Sequence, residues 1–175
     1  MNYFDFFKIP VAFNLDASLL KQRFYENSKR YHPDFYTLES DEKQAAILDL
    51  STLNNQAYRT LADFDKRMEY ILNIKNALAE EGKNDLPQDF LMEMMELNEQ
   101  LMELEFDFDQ AAYHAMLQQL EQHEHSIYQE VAHLIEHYND EKATPEELSA
   151  IKDFYLKKKY LLRIRENISK FATHL

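Results

Sequence analysis

Gly82 is the only glycine among 175 residues. Glycine supplies the left-handed backbone that tight hairpins and bulges require, so a chain that almost never uses it has little means of building an antiparallel sheet. Four prolines and an abundance of Leu, Glu, Gln, Ala, Met and Lys point the same way. The fold class read from this is all-α. Apolar residues make up 45% of the chain, enough to bury a core without a metal or disulfide to staple it. No cysteine is present, which excludes disulfides, thiolate nucleophiles and cysteine-ligated metal centres in this chain.

The glycine also marks a boundary. Glu81-Gly82-Lys83-Asn84-Asp85, followed by Leu86-Pro87, reads as an interdomain connection, which gives an N-terminal domain over 1–75, a linker over 76–85 and a C-terminal domain over 86–175. Charge divides at the same place. Residues 1–75 carry ten Lys/Arg against eleven Asp/Glu, whereas residues 76–175 carry nine against twenty-one. So acidic a C-terminal half repels phosphate backbones, and nucleic acid is excluded as a partner. MNYFDFFKIP has neither the basic start nor the apolar run of a secretory signal, and no segment approaches membrane-spanning length, so a soluble cytoplasmic protein without membrane contact is expected.

Four helices are legible before the boundary. Asn2 to Phe7 is short and aromatic; Asp16 caps a second, with Leu20, Phe24 and Tyr31 on one face, which breaks at Pro33. A third runs from Asp41 to Leu61 with Ile47, Leu50, Ala57 and Leu61 facing inward, and Asp63 caps a fourth from Phe64 to Ile74. Three longer helices follow. Pro87 opens the first at its N1 position, with Phe90, Met94, Leu97, Leu101, Leu104 and Phe108 at alternating steps of four and three. The second carries Tyr113, Leu117, Leu120, Ile127, Val131, Leu134 and Tyr138. Thr144-Pro145-Glu146-Glu147 is a capping box that opens the third, with Ile151, Phe154, Leu161, Ile164, Ile168 and Phe171. Three such stripes predict an antiparallel three-helix bundle.

Between the second and third helices stands His32-Pro33-Asp34, directly preceded by Tyr31. About twenty residues later comes Asn55-Gln56-Ala57-Tyr58-Arg59-Thr60-Leu61. The tripeptide between two amphipathic helices, with this Asn-x-Ala-Tyr-x-x-Leu pattern at the end of the next helix, resembles the J-domain family. Asn2-Tyr3-Phe4, Lys66-Arg67-Met68-Glu69-Tyr70-Ile71-Leu72 and Phe90-Leu91-Met92-Glu93 are similar to the HscB subfamily, so the resemblance covers essentially the whole chain. It implies a J-domain helical hairpin followed by a C-terminal bundle that binds a client. It further implies a co-chaperone that is not itself an enzyme and needs no cofactor. In that role His32, Pro33 and Asp34 trigger hydrolysis in a seventy-kilodalton heat-shock ATPase of the HscA or DnaK type, and the bundle delivers an IscU-type iron–sulfur scaffold to it.

The residue types suit these roles. Pro33 fixes φ, Asp34 is a charged acceptor, and His32 offers both a donor and an acceptor. Lys21, Tyr25 and Lys29, four residues apart, form a stripe leading to the loop, though Tyr25, Glu26 and Asn27 make it less basic than in general J-domains. A second site follows from surplus. With the core face of its helix already filled, Leu91, Met95 and Met102 lie beside Met92 as an apolar strip without an intrachain partner, rimmed by Glu96, Glu99 and Glu103. By the resemblance such positions contact the scaffold, joined by Tyr160 on the last helix.

Other motifs are weaker. His133-Leu134-Ile135-Glu136-His137 fits the H-x-x-E-H pattern of a zinc hydrolase but lacks a distal third ligand. Phe106-Asp107-Phe108-Asp109 has none of the Gly or distal Glu of a calcium loop, and Asp107 or Asp109 reads as a cap. Lys157-Lys158-Lys159 reads as a solvated face. No metal site and no catalytic residue are assigned. A helical adaptor without a chaperone partner is the third class of reading.

Overall fold

A computed structural model describes residues 1–80 and 83–174, and the regular structure among them is helical throughout. Glu81 and Gly82 of the expected linker lie outside the described residues. The chain divides into two compact units: Met1–Lys75 with Tyr138–Lys142, and Asn76–His137 with Ala143–Leu175.

Unit 1 contains α1 (Tyr3–Phe7), α2 (Ala17–Arg30), a 3-10 turn (Pro33–Tyr36), α3 (Asp41–Ala62) and α4 (Phe64–Ile74). Each start is chemically marked. Asn2 and Asp5 cap α1 reciprocally, and the Asp16, Ser40 and Asp63 side chains accept amide hydrogens at the starts of α2, α3 and α4. Helix α1 stops where Lys8 turns left-handed at φ 55°. Phe4, Phe7, Phe13, Leu20, Leu61 and Ile71 form the core, each no more than 2% exposed.

Helices α2 and α3 pack antiparallel, since Phe24 stacks on Tyr58 at 4.3 Å while Ser28 meets Asn54. Asn54 is buried, and its Nδ2 donates to the Phe24 carbonyl (3.2 Å) and to Ser28 Oγ (3.0 Å). Leu50, expected on the inward face, is only half-buried. Asn54 holds the centre of that face because a helix carbonyl and a hydroxyl satisfy its donors there. Asn54→Ala should therefore cost about 1–2 kcal/mol, two lost buried hydrogen bonds, read as a lowered urea midpoint. An unmoved midpoint would show that the seam holds without this clamp.

Arg67 ties the α3–α4 junction to the segment before α2. Its Nε donates to the Phe13 carbonyl (2.9 Å) and its Nη1 to the Leu61 carbonyl. Burial lowers the guanidinium's pKa, against the opposing pull of Asp63. Tyr70 stacks on Tyr3 at 4.4 Å and accepts the Tyr3 amide hydrogen, which fixes α1 on α4. Tyr138, expected as the last residue of the stripe on α6 (Gln110–Glu136), lies beyond that helix and packs in unit 1 edge-on to Phe13 at 4.7 Å. In the same unit Lys75 Nζ meets Asp140 Oδ1 at 2.5 Å. The C-terminal domain drawn over 86–175 is thus interrupted at Tyr138–Lys142.

Unit 2 holds α5 (Gln88–Phe106), α6 and α7 (Pro145–Ser169). Pro87 sits at the N-cap of α5, one residue before the expected position. The Thr144/Glu147 capping box forms as expected, with Pro145 inside the first turn of α7. Helices α6 and α7 run antiparallel: Tyr128 faces Phe154, and Arg165 grips Glu124 through Nε (3.0 Å) and Nη2 (2.6 Å). This bidentate pair raises the Arg165 pKa and sets the register of the two helices.

Met94, Leu97, Met116, Leu120, Ile151 and Leu161 fill the core, each no more than 1% exposed. On α6, Met116 and Ile135 are buried where Leu117 and Leu134 were expected, and those two are half-buried. Phe108 lies past the end of α5, with its ring near Tyr113 and Phe171. Asp107 is the C-cap of α5, and Asp109 caps α6 by accepting from the Ala112 amide at 2.8 Å.

Candidate interaction sites

In unit 1 the loop after α2 is held outward by its own hydrogen bonds. The Tyr36 hydroxyl donates back to the Arg30 carbonyl at 2.7 Å, and the Phe35 amide donates to the His32 carbonyl at 3.1 Å. Pro33 opens the 3-10 turn, where its missing N–H leaves no donor unsatisfied. His32 Nδ1 accepts the Asp34 amide hydrogen at 3.3 Å. With Nδ1 as the acceptor, Nε2 is the ring nitrogen left to donate. The His32 and Asp34 side chains are 52% and 83% exposed. A donor and a carboxylate acceptor thus stand side by side on a braced turn.

Lys21, Tyr25 and Lys29 are exposed on α2, as expected. Glu26, between them in sequence, is bonded by Gln22 (2.9 Å) and Arg23 (3.1 Å), which lower its pKa in that order. Its charge is therefore partly answered by Arg23, while no ion pair among the described residues engages Lys21 or Lys29. Tyr31 is half-buried: it packs near Phe6 and lies under the Arg30 guanidinium at 5.6 Å, so it supports the loop more than it presents a surface. An open groove of about 560 Å³ runs between α2 and the loop, lined by Tyr25, Lys29, His32 and Phe35 among others. Phe35, 73% exposed with its ring 5.6 Å from His32, is missing from the sequence-derived site. The signal available for it was an aromatic directly after the tripeptide, where no helix repeats.

In unit 2, Met92, Met95 and Met102 are 61–67% exposed and Leu91 38%, on the side of α5 away from Phe90, Met94 and Leu97. Glu96, Glu99 and Glu103 are exposed beside them. Tyr160 is half-buried, with its ring edge-on to Phe90 at 5.8 Å and its hydroxyl accepting from Asn98 Nδ2 at 2.9 Å. It joins α7 to α5 and leaves only part of its surface for a partner.

His133, Glu136 and His137 are exposed at the end of α6, where His137 Nδ1 contacts the His133 carbonyl at 3.1 Å. Among the described residues no cluster of three such side chains could hold a metal ion. Lys157 departs from the solvated reading: its side chain is 15% exposed, 3.6 Å from Glu130 and over the Phe90 ring. No described helix is long and apolar enough to cross a membrane.

Comparison with known proteins agrees with this arrangement. The family model of the HSCB C-terminal oligomerisation domain matches residues 86–169. A co-chaperone protein HscB homolog of Vibrio vulnificus (strain YJ016) is 38% identical over 138 residues, spanning 75% of this chain and 80% of its own length. This chain belongs to the HscB co-chaperone family. Chaperone HscB from Vibrio cholerae superposes with a TM-score of 0.69 over 99% of both chains at 26% identity. Human co-chaperone protein HscB gives a TM-score of 0.74 over all of this chain and 84% of its own, at 24% identity, a likeness of fold alone. The all-α architecture is therefore that of HscB proteins.

Proposed function

We propose that this HscB-family chain stimulates a seventy-kilodalton heat-shock ATPase of the HscA or DnaK type through unit 1, and delivers an IscU-type iron–sulfur scaffold to it through unit 2. The observation that carries the reading is the braced, exposed His32-Pro33-Asp34 turn beside the unpaired Lys21 and Lys29. The turn presents a ring N–H donor and a carboxylate side by side, groups suited to a basic and an acceptor-bearing surface on the ATPase. Lys21, Tyr25 and Lys29 steer the approach, and Phe35 adds apolar contact. The chain supplies no reacting group; the hydrolytic centre belongs to the partner, and the protein acts in the cytoplasm. Leu91, Met92 and Met95, with Glu96, Glu99 and Glu103 at the rim and Tyr160 at the edge, hold the scaffold.

Under single-turnover conditions the purified chain should accelerate ATP hydrolysis by such an ATPase. An unchanged rate would favour the helical adaptor, and metal-dependent turnover by the chain alone would favour a hydrolase at His133, Glu136 and His137.

A further inference from the structure

The exposed apolar face of α5 continues past Leu91, Met92 and Met95, through Met102 of the expected strip, to Phe106. Met102 is 67% exposed and Phe106, the last residue of the helix, 95%. At about 100° and 1.5 Å per residue, Leu91, Met95, Met102 and Phe106 fall within about 60° of one another along about 22 Å of helix. Two phenylalanines near the helix end make the point by contrast. Phe108 is half-buried with its ring near Tyr113 and Phe171, whereas Phe106 stands almost wholly in solvent. A contiguous apolar strip of this kind on a helix whose opposite side already fills the core marks a protein contact.

Resting on the function proposed above, we infer that Met102 and Phe106 are further anchors for the scaffold, and that the scaffold surface they meet is apolar at its centre and rimmed by Lys or Arg. Charge selects this occupant. Glu96, Glu99 and Glu103 border the strip, and residues 76–175 carry twenty-one acidic against nine basic side chains. A second copy docked face to face would set acidic rim against acidic rim, whereas a basic-rimmed partner would be drawn in. Phe106 extends the contact to the C-terminal end of α5, and a large ring there removes more apolar area from water than any other residue of the strip.

The test is calorimetric titration of an IscU-type scaffold into the full chain, comparing wild type, Met102→Ala/Phe106→Ala, Phe106→Gln and the triple Leu91→Ala/Met92→Ala/Met95→Ala. The double variant should raise Kd about tenfold and Phe106→Gln by a smaller factor, with unfolding midpoints near wild type because the truncated groups are exposed. Wild-type affinity in the double variant, with binding lost in the triple, would overturn the extension and leave the proposed function standing. Wild-type affinity in the triple would overturn the underlying assignment as well. Sedimentation of the chain alone supplies the remaining outcome: self-association that the double variant abolishes, with scaffold affinity unchanged, would make a second copy the occupant and overturn the inference.

Discussion

His32→Gln should reduce stimulation of the partner ATPase to the partner's basal rate while leaving helical circular dichroism and the melting temperature nearly unchanged. The ring is half-exposed, and among the described residues its one hydrogen bond caps a single amide of a solvent-facing turn. Losing such a cap costs about 1 kcal/mol, and a glutamine oxygen can replace part of it. Glutamine keeps an Nε2–H donor, but on its freely rotating chain it cannot reproduce the rigid planar ring that holds that donor in place beside Asp34. Function should therefore fall far more than stability. A drop of many degrees in the melting temperature would instead make His32 a structural residue.

The second large effect concerns the other unit. Replacing Leu91, Met92 and Met95 together with Ala should weaken scaffold binding by at least about 2 kcal/mol, roughly thirtyfold in Kd, the loss that one or more central apolar anchors produce. All three side chains are exposed, so the unfolding midpoint should barely move. Met94, their completely buried neighbour, is the control: Met94→Ala should cost about 2–5 kcal/mol of stability. Unchanged affinity in the triple variant, with a severely lowered midpoint, would mean that the strip belongs to the core and the client binds elsewhere.

Much of this architecture was readable because its punctuation is local. Asp16, Asp63 and the Thr144/Glu147 box each declare a helix start within four residues, and Pro33 declares the end of α2. The misreadings arise where the deciding partner is distant or two neighbours compete. Leu50 takes the inward place by spacing until the acceptors of Asn54 on α2 are known, about thirty positions away. The adjacent pairs Met116-Leu117 and Leu134-Ile135 both fit an apolar stripe, and over 27 residues a small drift in helical phase decides which member turns inward. Tyr138 continues the stripe by spacing, yet α6 is capped at His137 and the tyrosine packs in unit 1.

The proposed interaction residues divide similarly. His32, Pro33 and Asp34 were legible as a motif, and the α5 strip as surplus apolar residues on a filled helix. Phe35 and Phe106 were not, because aromatics are ordinarily assigned to the core and only their surroundings show that nothing covers them. Tyr160 is the converse case. Its hydroxyl accepts from Asn98, so the residue expected to face a client also fastens two helices of its own unit.

The most direct test of the proposed coupling of two partners is single-turnover ATP hydrolysis by the partner chaperone, recorded at fixed chain concentration while the IscU-type scaffold is titrated. The wild-type chain should give a saturable rise, the Leu91/Met92/Met95 triple the same plateau only at roughly thirtyfold higher scaffold, and His32→Gln a flat basal line throughout. A scaffold curve for the triple that superimposes on wild type, or a full rise with His32→Gln, would contradict the account.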